Sequence, residues 1–333
     1  MQNIERRMCG AAQRILAVAV VMLANVAMGA DAKAQSYPAK PIRLVVGFAA
    51  GGAADVPARL LAQKLSEVFA QQVIVENRTG ASGAIATERV ATSPPDGYTL
   101  LMGTAAETIQ PVIRANLSYD LERDLAPVSL VVVGPYVLAA HPSVPAISIK
   151  ELIALARSQS GKLSLGSAGI GSTTHLAGAL FGLMANAKLV HIPYKGGAES
   201  AVGTAAGQVD MNFAGISGVL PMLGAGKIRA LGVSTLKRAS LLPTVPTINE
   251  AGLPGYDRSG WYGILVPAQV SRDVIQRLNA AIAKVINTPD MGAALSKQGI
   301  EPQSSTPEQF AALIKSELSQ NGKLVKSIGL KEE

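Results

Sequence analysis

The amino-acid sequence predicts an α/β protein in which short apolar strands alternate with amphipathic helices. The first strand is expected at residues 42–48, a continuous apolar run, and residues 49–53 form a glycine-rich turn. Apolar side chains then recur at helical spacing, at Val56, Leu60, Leu61, Leu65 and Val68. Because buried parallel strands read as continuous apolar runs, this order indicates parallel sheets covered on both faces by helices.

The same alternation continues and forms two units along the chain. In the first unit, further strands are expected at residues 73–76, 99–102, 128–133 and 137–140. In the second unit, strands are expected at 163–166, 190–193 and 211–214, and helices at 150–157, 174–184 and 199–206. The two sets of elements predict two sheets rather than one.

The amino terminus has the features of a removable secretory signal at residues 1–34. Three arginines precede an apolar run at 15–27, and Ala-Lys-Ala at 32–34 offers small residues where a signal peptidase cleaves. We therefore expect an exported mature chain that starts near Gln35. No later stretch is apolar enough over about 18 residues to predict a membrane span.

The composition indicates a globular protein. Hydrophobic residues make up 48% of the 333 residues and charged residues 16%, which excludes disorder. At about 150 residues per domain, this length favours two domains. The net charge is +7, but aromatic residues make up only 4% and are not interleaved with the basic ones, so nucleic acid is not an expected partner. Cys9, the only cysteine, leaves with the signal segment, and no disulfide can form.

Each of the two units carries a strand that ends in paired glycines and leads into a helix. Gly51 and Gly52 follow the first strand, and Gly196 and Gly197 follow the strand at 190–193. Such turns let a ligand approach backbone N–H groups, and the positive end of a helix dipole favours anions. A single glycine pair is more often only a tight turn, but one pair in each unit indicates a shared cleft.

Eight motifs occur in order along the expected mature chain. They are Tyr-Pro-Ala-Lys-Pro-Ile at 37–42, Gly-Phe-Ala-Ala-Gly-Gly-Ala-Ala-Asp at 47–55, Val-Glu-Asn-Arg at 75–78, Pro-Asp-Gly-Tyr-Thr-Leu-Leu at 95–101, His-Ile-Pro-Tyr-Lys-Gly at 191–196, Gly-Lys-Ile-Arg-Ala-Leu at 226–231, Pro-Thr-Val-Pro-Thr at 243–247 and Ala-Gly-Leu-Pro-Gly-Tyr at 251–256. Together they resemble the Bug family of periplasmic solute receptors. The resemblance covers essentially the whole mature chain.

This resemblance implies a type II periplasmic binding protein fold, in which two α/β lobes joined by a crossover hinge close on a ligand in the cleft between them. The implied limits are 35–134 and 260–333 for lobe 1, 135–259 for lobe 2, and 133–135 and 257–260 for the crossings. It also implies a receptor that delivers a small carboxylate-type solute to the membrane subunits of a tripartite tricarboxylate transporter. We expect a monomer.

The first strand-to-helix turn departs from the usual pattern of Bug proteins. These proteins commonly have prolines where Ala49 and Ala50 stand, and Thr or Ser where Ala54 stands. A hydrogen bond to a charged group is worth about 1.5 to 3 kcal/mol, so the lost hydroxyl indicates a different grip on the carboxylate or a different ligand. Gly215 stands where many relatives carry a polar residue, which widens the pocket or removes another contact.

The resemblance further implies that backbone N–H groups of the turn at 49–55 hold the ligand carboxylate while lobe 2 closes over it. Polar residues that follow other predicted strands are further candidates, because open α/β sheets bind ligands there. The predicted ligand-binding residues are Phe48, Ala50, Gly51, Gly52, Ala53, Asp55, Thr104, Ala105, Ser167, Gly169, Ser172, Thr173, Lys195, Gly215 and Trp261.

Several of these residues have a structural explanation as well. Asp55 would repel an anion and is better explained as the cap of the helix that Pro57 enters in its first turn. A hydroxyl at such a place is as often a helix cap as a ligand contact. Lys195 in a glycine turn is more commonly solvated, and Trp261 either stacks on a ligand or packs at the hinge.

Neither a metal nor a cofactor is expected, since His141, His175 and His191 show no metal-ligand spacing. An exported α/β enzyme is the main alternative, but neither the G-x-S-x-G nor the G-x-G-x-x-G motif is present. A nucleophile within hydrogen-bonding reach of a histidine in the pocket would favour the enzyme. A ligand sensor for a membrane signalling protein would share every binding residue. The ligand itself stays open among dicarboxylates, amino acids, aromatic acids and amides.

Overall fold

The computed structural model describes residues 37–114 and 116–330, so the predicted signal segment at 1–34 lies outside the described residues. The chain divides into two compact units, Met1–Ala39 and Lys40–Glu333. Of the first unit only residues 37–39 are described, and they form neither helix nor strand. In the part of the chain that the structure describes, no helix is long and apolar enough to span a membrane.

The second unit is a mixed α/β body. Its strands are β1 (Ile42–Val46), β2 (Val73–Asn77), β3 (Thr99–Thr104), β4 (Leu125–Ala140), β5 (Ser164–Ser167), β6 (Val190–Pro193), β7 (Met211–Gly215), β8 (Arg229–Val233), β9 (Ser259–Pro267) and β10 (Glu301–Pro302). Its α-helices are α1 (Asp55–Phe69), α2 (Ala84–Ala91), α3 (Gln110–Ile113), α4 (Leu121–Asp124), α5 (Ile149–Ser158), α6 (Thr173–Ala185), α7 (Gly197–Ala205), α8 (Ile216–Gly224), α9 (Ile248–Ala251), α10 (Arg272–Ile286), α11 (Pro289–Ser296) and α12 (Pro307–Ile328). Short 3₁₀ helices cover Ala81–Gly83 and Ala105–Thr108.

The ten strands form one hydrogen-bonded sheet. Eight of them follow the order β2-β1-β3-β9-β4-β7-β5-β6, and β8 and β10 pair with β4 off this path. β1 is parallel to β2 and β3, and β5 is parallel to β6 and β7. β9 is antiparallel to β3 and β4, and β7 is antiparallel to β4. The parallel strands therefore form two groups, joined through the antiparallel strands β9 and β4. The prediction of two separate parallel sheets is wrong in this respect, because β4 and β9 link the two groups into one mixed sheet.

β4 exchanges partners along its length. Residues 125–135 pair with β9, whereas residues 136–140 pair with β7 and β8. We call β1, β2, β3, β9, β10 and residues 125–135 the first half-sheet, and β5 to β8 with residues 136–140 the second half-sheet.

The single long strand corrects the prediction of separate strands at 128–133 and 137–140. Gly134 and Pro135 interrupt the apolar run without ending the strand, because they still face Gly260 and Ser259 of β9. The other predicted strands and helices lie within two residues of their expected ends. The sequence therefore left the sheet order undetermined, and it gave no prediction for the strands β8, β9 and β10.

Two aromatic clusters fix the helices against the two half-sheets. In the second half-sheet, Phe213 lies 6.5 Å from the rings of both Phe181 and Tyr256, and all three side chains are fully buried. In the first half-sheet, Trp261 packs edge-on against Phe310 with 5.1 Å between ring centroids. Because each cluster is closely packed, the strand ends and helix starts that border the cavity described below rest on a rigid interior.

Candidate ligand-binding site

A cavity of about 270 Å³ lies where four helices begin. Residues at or next to the amino-terminal ends of α1, α6, α7 and α8 line it, together with residues of β3, β4 and β9. The first half-sheet supplies one wall and the second half-sheet supplies the other. The arrangement brings together the two paired-glycine turns, which are far apart in the sequence.

Nine of the predicted residues line this cavity. They are Phe48, Ala50, Gly52, Ala53, Thr104, Ser172, Thr173, Lys195 and Gly215. The other predicted residues lie outside the lining, at Gly51, Asp55, Ala105, Ser167, Gly169 and Trp261. Trp261 packs on Phe310 and borders a separate cavity next to Gly134 and Pro135, which is its packing position at the predicted hinge.

Other lining residues were absent from the predicted set. They are Ala49, Ala54, Tyr136, Ala168, Thr174, Gly196, Gly197, Ala198, Glu199 and Tyr262. The second glycine pair carried a signal for Gly196 and Gly197, and the position of Tyr136 directly after the predicted crossing carried a weaker one. Tyr262, which contacts Tyr136, directly follows Trp261 in β9 and points to the opposite face of that strand. Only the three-dimensional structure brings the two tyrosines together.

Within the first turn, the carboxylate of Asp55 organises the backbone. The Gly51 N–H donates to Asp55 Oδ2 at 2.8 Å, and Asn77 Nδ2 donates to Oδ1 at 2.8 Å. Arg59 Nε donates to Oδ2 at 2.7 Å. Burial by itself raises the pKa of Asp55, but the hydrogen bonds from Arg59, Gly51 and Asn77 outweigh burial and hold the pKa below its ordinary value. Asp55 is therefore an ionised side chain that closes the turn.

This geometry corrects the prediction that Asp55 caps α1. Asp55 is the first residue of the helix, and Ala54 occupies the capping position without a side-chain hydrogen bond. The N–H groups of both glycines are already hydrogen-bonded within the turn. The Gly51 N–H donates to Asp55, and the Gly52 N–H donates to the Ala49 carbonyl at 3.2 Å. Other N–H groups at the helix start are therefore the ones available to a ligand.

Several such N–H groups have no acceptor among the described residues, and four of them belong to the two glycine-containing turns. These four are the N–H groups of Ala53 and Ala54 at the start of α1, and of Gly197 and Ala198 at the start of α7. Gly196, which precedes α7, likewise offers no side-chain cap. Unsatisfied N–H groups and the positive end of the helix dipole together favour an anion at each of these ends.

The two helix starts approach each other because small residues separate them. A Cβ atom added at Gly196 would lie 3.9 Å from the Cβ atom of Ala49. One added at Gly215 would lie only 2.9 Å from the Cβ atom of Ala53, closer than real Cβ contacts. The missing side chain of Gly215 therefore does not enlarge the cavity at this point. It allows the beginning of α1 to contact the end of β7.

Hydroxyl groups from the central strands border another part of the cavity. The Tyr136 hydroxyl lies 2.6 Å from Thr173 Oγ1, a contact that spans β4 and the start of α6. Burial raises the pKa of Tyr136 to about 12, and burial together with the neighbouring Tyr136 also raises the pKa of Tyr262. Both tyrosines are therefore neutral, and their hydroxyl groups can donate hydrogen bonds. Thr104 caps the following 3₁₀ helix by accepting from the Ala106 N–H, and its side chain also forms a hydrogen bond that favours the ionised form of Glu107.

Lys195 and Glu199 are the only charged side chains among the described lining residues. Glu199 Oε2 accepts from the backbone N–H of Lys195 at 2.9 Å, so this carboxylate is already bound. The Lys195 ammonium group is exposed and forms no ion pair with another described residue. The charged pair lies at one side of a lining that otherwise consists of backbone, methyl and hydroxyl groups.

Behind the loop at 168–172, which leads from β5 into α6, lies a histidine pair. The rings of His175 and His191 stack with 3.7 Å between centroids, and His175 Nδ1 accepts from the Gly171 N–H at 3.1 Å. Burial lowers the pKa of His175 to about 3 and that of His191 to about 4, so both rings are neutral near pH 7. No group of three or more metal-ligating side chains occurs within the described ranges.

Ser167 satisfies one geometric condition of the enzyme alternative and fails the other. Its Oγ atom lies 2.6 Å from His191 Nε2, as a nucleophile and base would. However, the Ser167 side chain is fully buried and lies outside the cavity lining. No substrate in the cavity can reach it, and the contact instead anchors the loop at 168–172, whose Gly169 N–H donates to Ser167 Oγ at 3.2 Å.

Comparison with known proteins identifies the family. The model of the tripartite tricarboxylate transporter family receptor matches residues 57–330. A UPF0065 protein from the tcbD-tcbE intergenic region of Pseudomonas sp. strain P51 is 40% identical over 291 residues, which cover 87% of each chain. Among solved structures, an R. palustris protein with adipate is 33% identical at a TM-score of 0.86, covering 89% of this chain and 99% of that one.

The structure of the periplasmic binding protein BugD is also similar, with 32% identity and a TM-score of 0.84 over 89% of this chain and all of the other. These likenesses confirm the type II periplasmic binding protein fold and exclude the exported enzyme, because the relatives are solute receptors. The chain belongs to the tripartite tricarboxylate transporter receptor family, to which the Bug proteins belong.

Proposed function

We propose that this protein is a periplasmic receptor that binds a small carboxylate in the 270 Å³ cavity and delivers it to the membrane subunits of a tripartite tricarboxylate transporter. Residues 1–34 act as the export signal and are removed. Residues 35–134 and 260–333 form one lobe and residues 135–259 the other, and the lobes close on the solute about the crossings at 133–135 and 257–260.

The observation that carries this proposal is the convergence of two uncapped helix starts on one cavity. The N–H groups of Ala53, Ala54, Gly197 and Ala198 lack acceptors among the described residues, whereas the buried Asp55 carboxylate nearby is fully paired. A helix dipole contributes about 0.3 to 1 kcal/mol, and up to about 2 kcal/mol when partly buried. Charge-assisted hydrogen bonds must supply most of the roughly 8 kcal/mol of a micromolar complex.

The rest of the lining indicates how the remainder of the solute is held. Thr104, Tyr136 and Tyr262 offer hydroxyl groups, while Phe48 and several alanines offer apolar contacts. Lys195 is the group available to a second negative charge. The adipate in the R. palustris relative is a solute of this kind and supports the proposal for the carboxylate class.

Thermal-shift measurements with malate, adipate and benzoate, each compared with its uncharged amide, test the binding step. A ligand at 100 times its dissociation constant adds about 2.7 kcal/mol to the free energy of unfolding, which raises Tm by about 5 °C. Stabilisation by an acid and not by its amide is expected. Equal stabilisation by both would contradict an anion site.

A pair of matched variants locates the site. Ala198→Asp introduces a carboxylate at the start of α7, where the helix dipole tolerates it, and should abolish binding of the acid without lowering Tm. Ala198→Asn has nearly the same size but no charge and should retain most of the affinity. Unchanged binding by the aspartate variant would place the anion elsewhere.

Delivery needs its own measurement, because a sensor would bind the same solute. Uptake of the radiolabelled acid into cells that express the membrane subunits should require this protein, and the Ala198→Asp variant should not support uptake. Binding without receptor-dependent uptake would contradict the transport role. Size-exclusion chromatography with light scattering tests the expected monomer.

A further inference from the structure

Two side chains from the first half-sheet side reach across the cleft to one loop. This loop, residues 168–172, is called the covering loop below, and it contributes Ala168 and Ser172 to the cavity lining. Ser82, in the 3₁₀ helix after β2, donates from Oγ to the carbonyl of Ile170 at 2.6 Å. Gln110, the first residue of α3, donates from Nε2 to the carbonyl of Gly171 at 3.0 Å.

The covering loop fits against these side chains because two of its residues are glycines. At Gly169, with φ of 117°, an added Cβ atom would lie 2.8 Å from Ser82 Oγ. At Gly171, with φ of 71°, it would lie 2.1 Å from Ile113 Cδ1. A larger residue would collide at either place and would also be strained at these φ angles. The backbone is therefore shaped to bring two carbonyl groups close to the opposite side of the cleft.

Both donors are held in position before they reach the loop. Gln110 is fully buried, and its Oε1 accepts from Arg114 Nε at 2.6 Å, which orients the amide so that Nε2 points to Gly171. Ser82 has φ of 51° and ψ of 39°, a left-handed conformation that is rare for residues other than glycine, asparagine and aspartate. Backbone conformations of this kind persist where the surroundings fix them and concentrate at ligand clamps and switches.

The covering loop is also hydrogen-bonded to residues of the second half-sheet side, from which it extends. The Gly171 N–H donates to His175 Nδ1 at 3.1 Å, and the Gly169 N–H donates to Ser167 Oγ at 3.2 Å. The loop therefore moves with β5 and α6 as one body. Any motion that separates the two sides of the cleft must break the hydrogen bonds from Ser82 and Gln110, while the bonds to Ser167 and His175 stay intact.

We infer that Ser82 and Gln110 are positioning residues that hold the covering loop over the cavity and bias the protein toward the closed state before ligand binds. This inference rests on the proposed function for its purpose, since a loop held closed slows the release of a bound solute. One hydrogen bond between neutral groups changes an equilibrium about fivefold, and two independent ones about 25-fold.

Distance measurements by double electron–electron resonance on ligand-free protein test this inference. Glu67 in α1 and Gln159 after α5 are exposed and lie on opposite sides of the cleft, so cysteines placed there can carry spin labels. The protein expressed from Gln35 contains no other cysteine, because Cys9 is the only one in the sequence. The label-to-label distribution reports the populations of closed and open molecules.

Ser82→Gly removes the hydroxyl while keeping the left-handed backbone accessible, and Gln110→Met removes the amide at similar length. Each should lower the ratio of closed to open molecules about fivefold, and the double variant about 25-fold. Thr92→Ala is the control, since it removes a hydroxyl-to-carbonyl bond of 2.9 Å within one side of the cleft, at the end of α2. It should leave the distribution unchanged.

The surface variant Ser82→Gly keeps the test decisive if Gln110→Met fails to fold, because Ser82 lies outside the core. A variant distribution identical to that of the unmodified protein overturns the inference, as does ligand-free protein that is wholly open. Far-UV circular dichroism should show an unchanged Tm for Ser82→Gly, which separates a positioning role from a structural one. The measurement uses no solute, so a failure of the carboxylate proposal leaves its outcome readable.

Discussion

Replacing Glu107 by glutamine should remove a loss of stability that accompanies rising pH. The Glu107 side chain is only 2% exposed, its carboxylate accepts from the Thr104 backbone N–H, and Thr87 Oγ1 lies 3.4 Å from Oε1. Burial raises the pKa of Glu107 to about 7, because these hydrogen bonds offset only part of the cost of removing the charge from water. The folded protein therefore favours the neutral carboxyl group.

The sign of the effect follows from the two protonation equilibria. Since the folded pKa of about 7 exceeds the ordinary value of 4.5, the stability linked to Glu107 is fully present below pH 4.5 and is lost as pH rises through 7. The interval between these two values corresponds to about 3 kcal/mol. Glutamine retains an acceptor for the Thr104 N–H and cannot ionise. Relative to the unmodified protein, the variant should therefore gain about 3 kcal/mol between pH 4.5 and about pH 8.

Urea unfolding followed by far-UV circular dichroism, repeated across this pH range, measures the difference directly. Glu88→Gln is the matched control, because Glu88 lies in α2 near the same cluster but is exposed. Its free energy of unfolding should follow that of the unmodified protein at every pH. Parallel curves for the Glu107 variant and the unmodified protein would show that burial does not control this carboxyl group, and the reasoning would be wrong.

Gly215→Ala should weaken binding of the acid selected by thermal shift about tenfold, because the added Cβ atom would lie 2.9 Å from the Cβ atom of Ala53 and hold the cleft apart. The Tm should stay unchanged, because the φ of −61° at this position suits alanine. Isothermal titration checks this, and unchanged affinity would contradict the close contact. His191→Asn should reduce the loss of stability on acidification. The stability linked to His191 is present above pH 6.5 and is lost as pH falls toward the folded pKa of about 4. Urea unfolding at about pH 7 and pH 5 should therefore show a smaller loss of unfolding free energy for the variant than for the unmodified protein. Equal losses would refute this prediction. Intact mass of the exported protein should correspond to a start near Gln35, and a product that retains residues 1–34 would contradict the predicted signal.

The sequence predicted individual elements well because their signals are local. The apolar run at 42–48 and the helical spacing from Val56 to Val68 each depend on neighbours within a few turns, and both elements were found within two residues of their expected ends. The long strand β4 was missed for the opposite reason. Whether Gly134 and Pro135 end a strand depends on β9, which lies far along the chain and continues the pairing across them.

Part of the cavity lining was predictable by the same standard. The paired glycines at 51–52 and 196–197 indicated two turns that lead into helices, and both turns border the cavity. Tyr136 and Tyr262 could not be selected, since their approach depends on the antiparallel pairing of β4 with β9. The engagement of the Gly51 N–H by Asp55 was equally hidden, because a turn sequence does not specify which donor its own carboxylate will take.

In the proposed receptor, the paired state of Asp55 determines which kind of group selects the solute. Because Arg59 and Asn77 bind its carboxylate, Asp55 adds no unpaired negative charge beside the helix start. Ala54 adds no hydroxyl either, so α1 presents only backbone N–H groups to the cavity. Backbone N–H groups bind any carboxylate similarly and cannot distinguish one acid from another. Selection among acids by the proposed receptor must therefore depend on the remainder of the lining, where Tyr136, Thr173, Tyr262 and Lys195 are among the residues that carry polar side-chain groups.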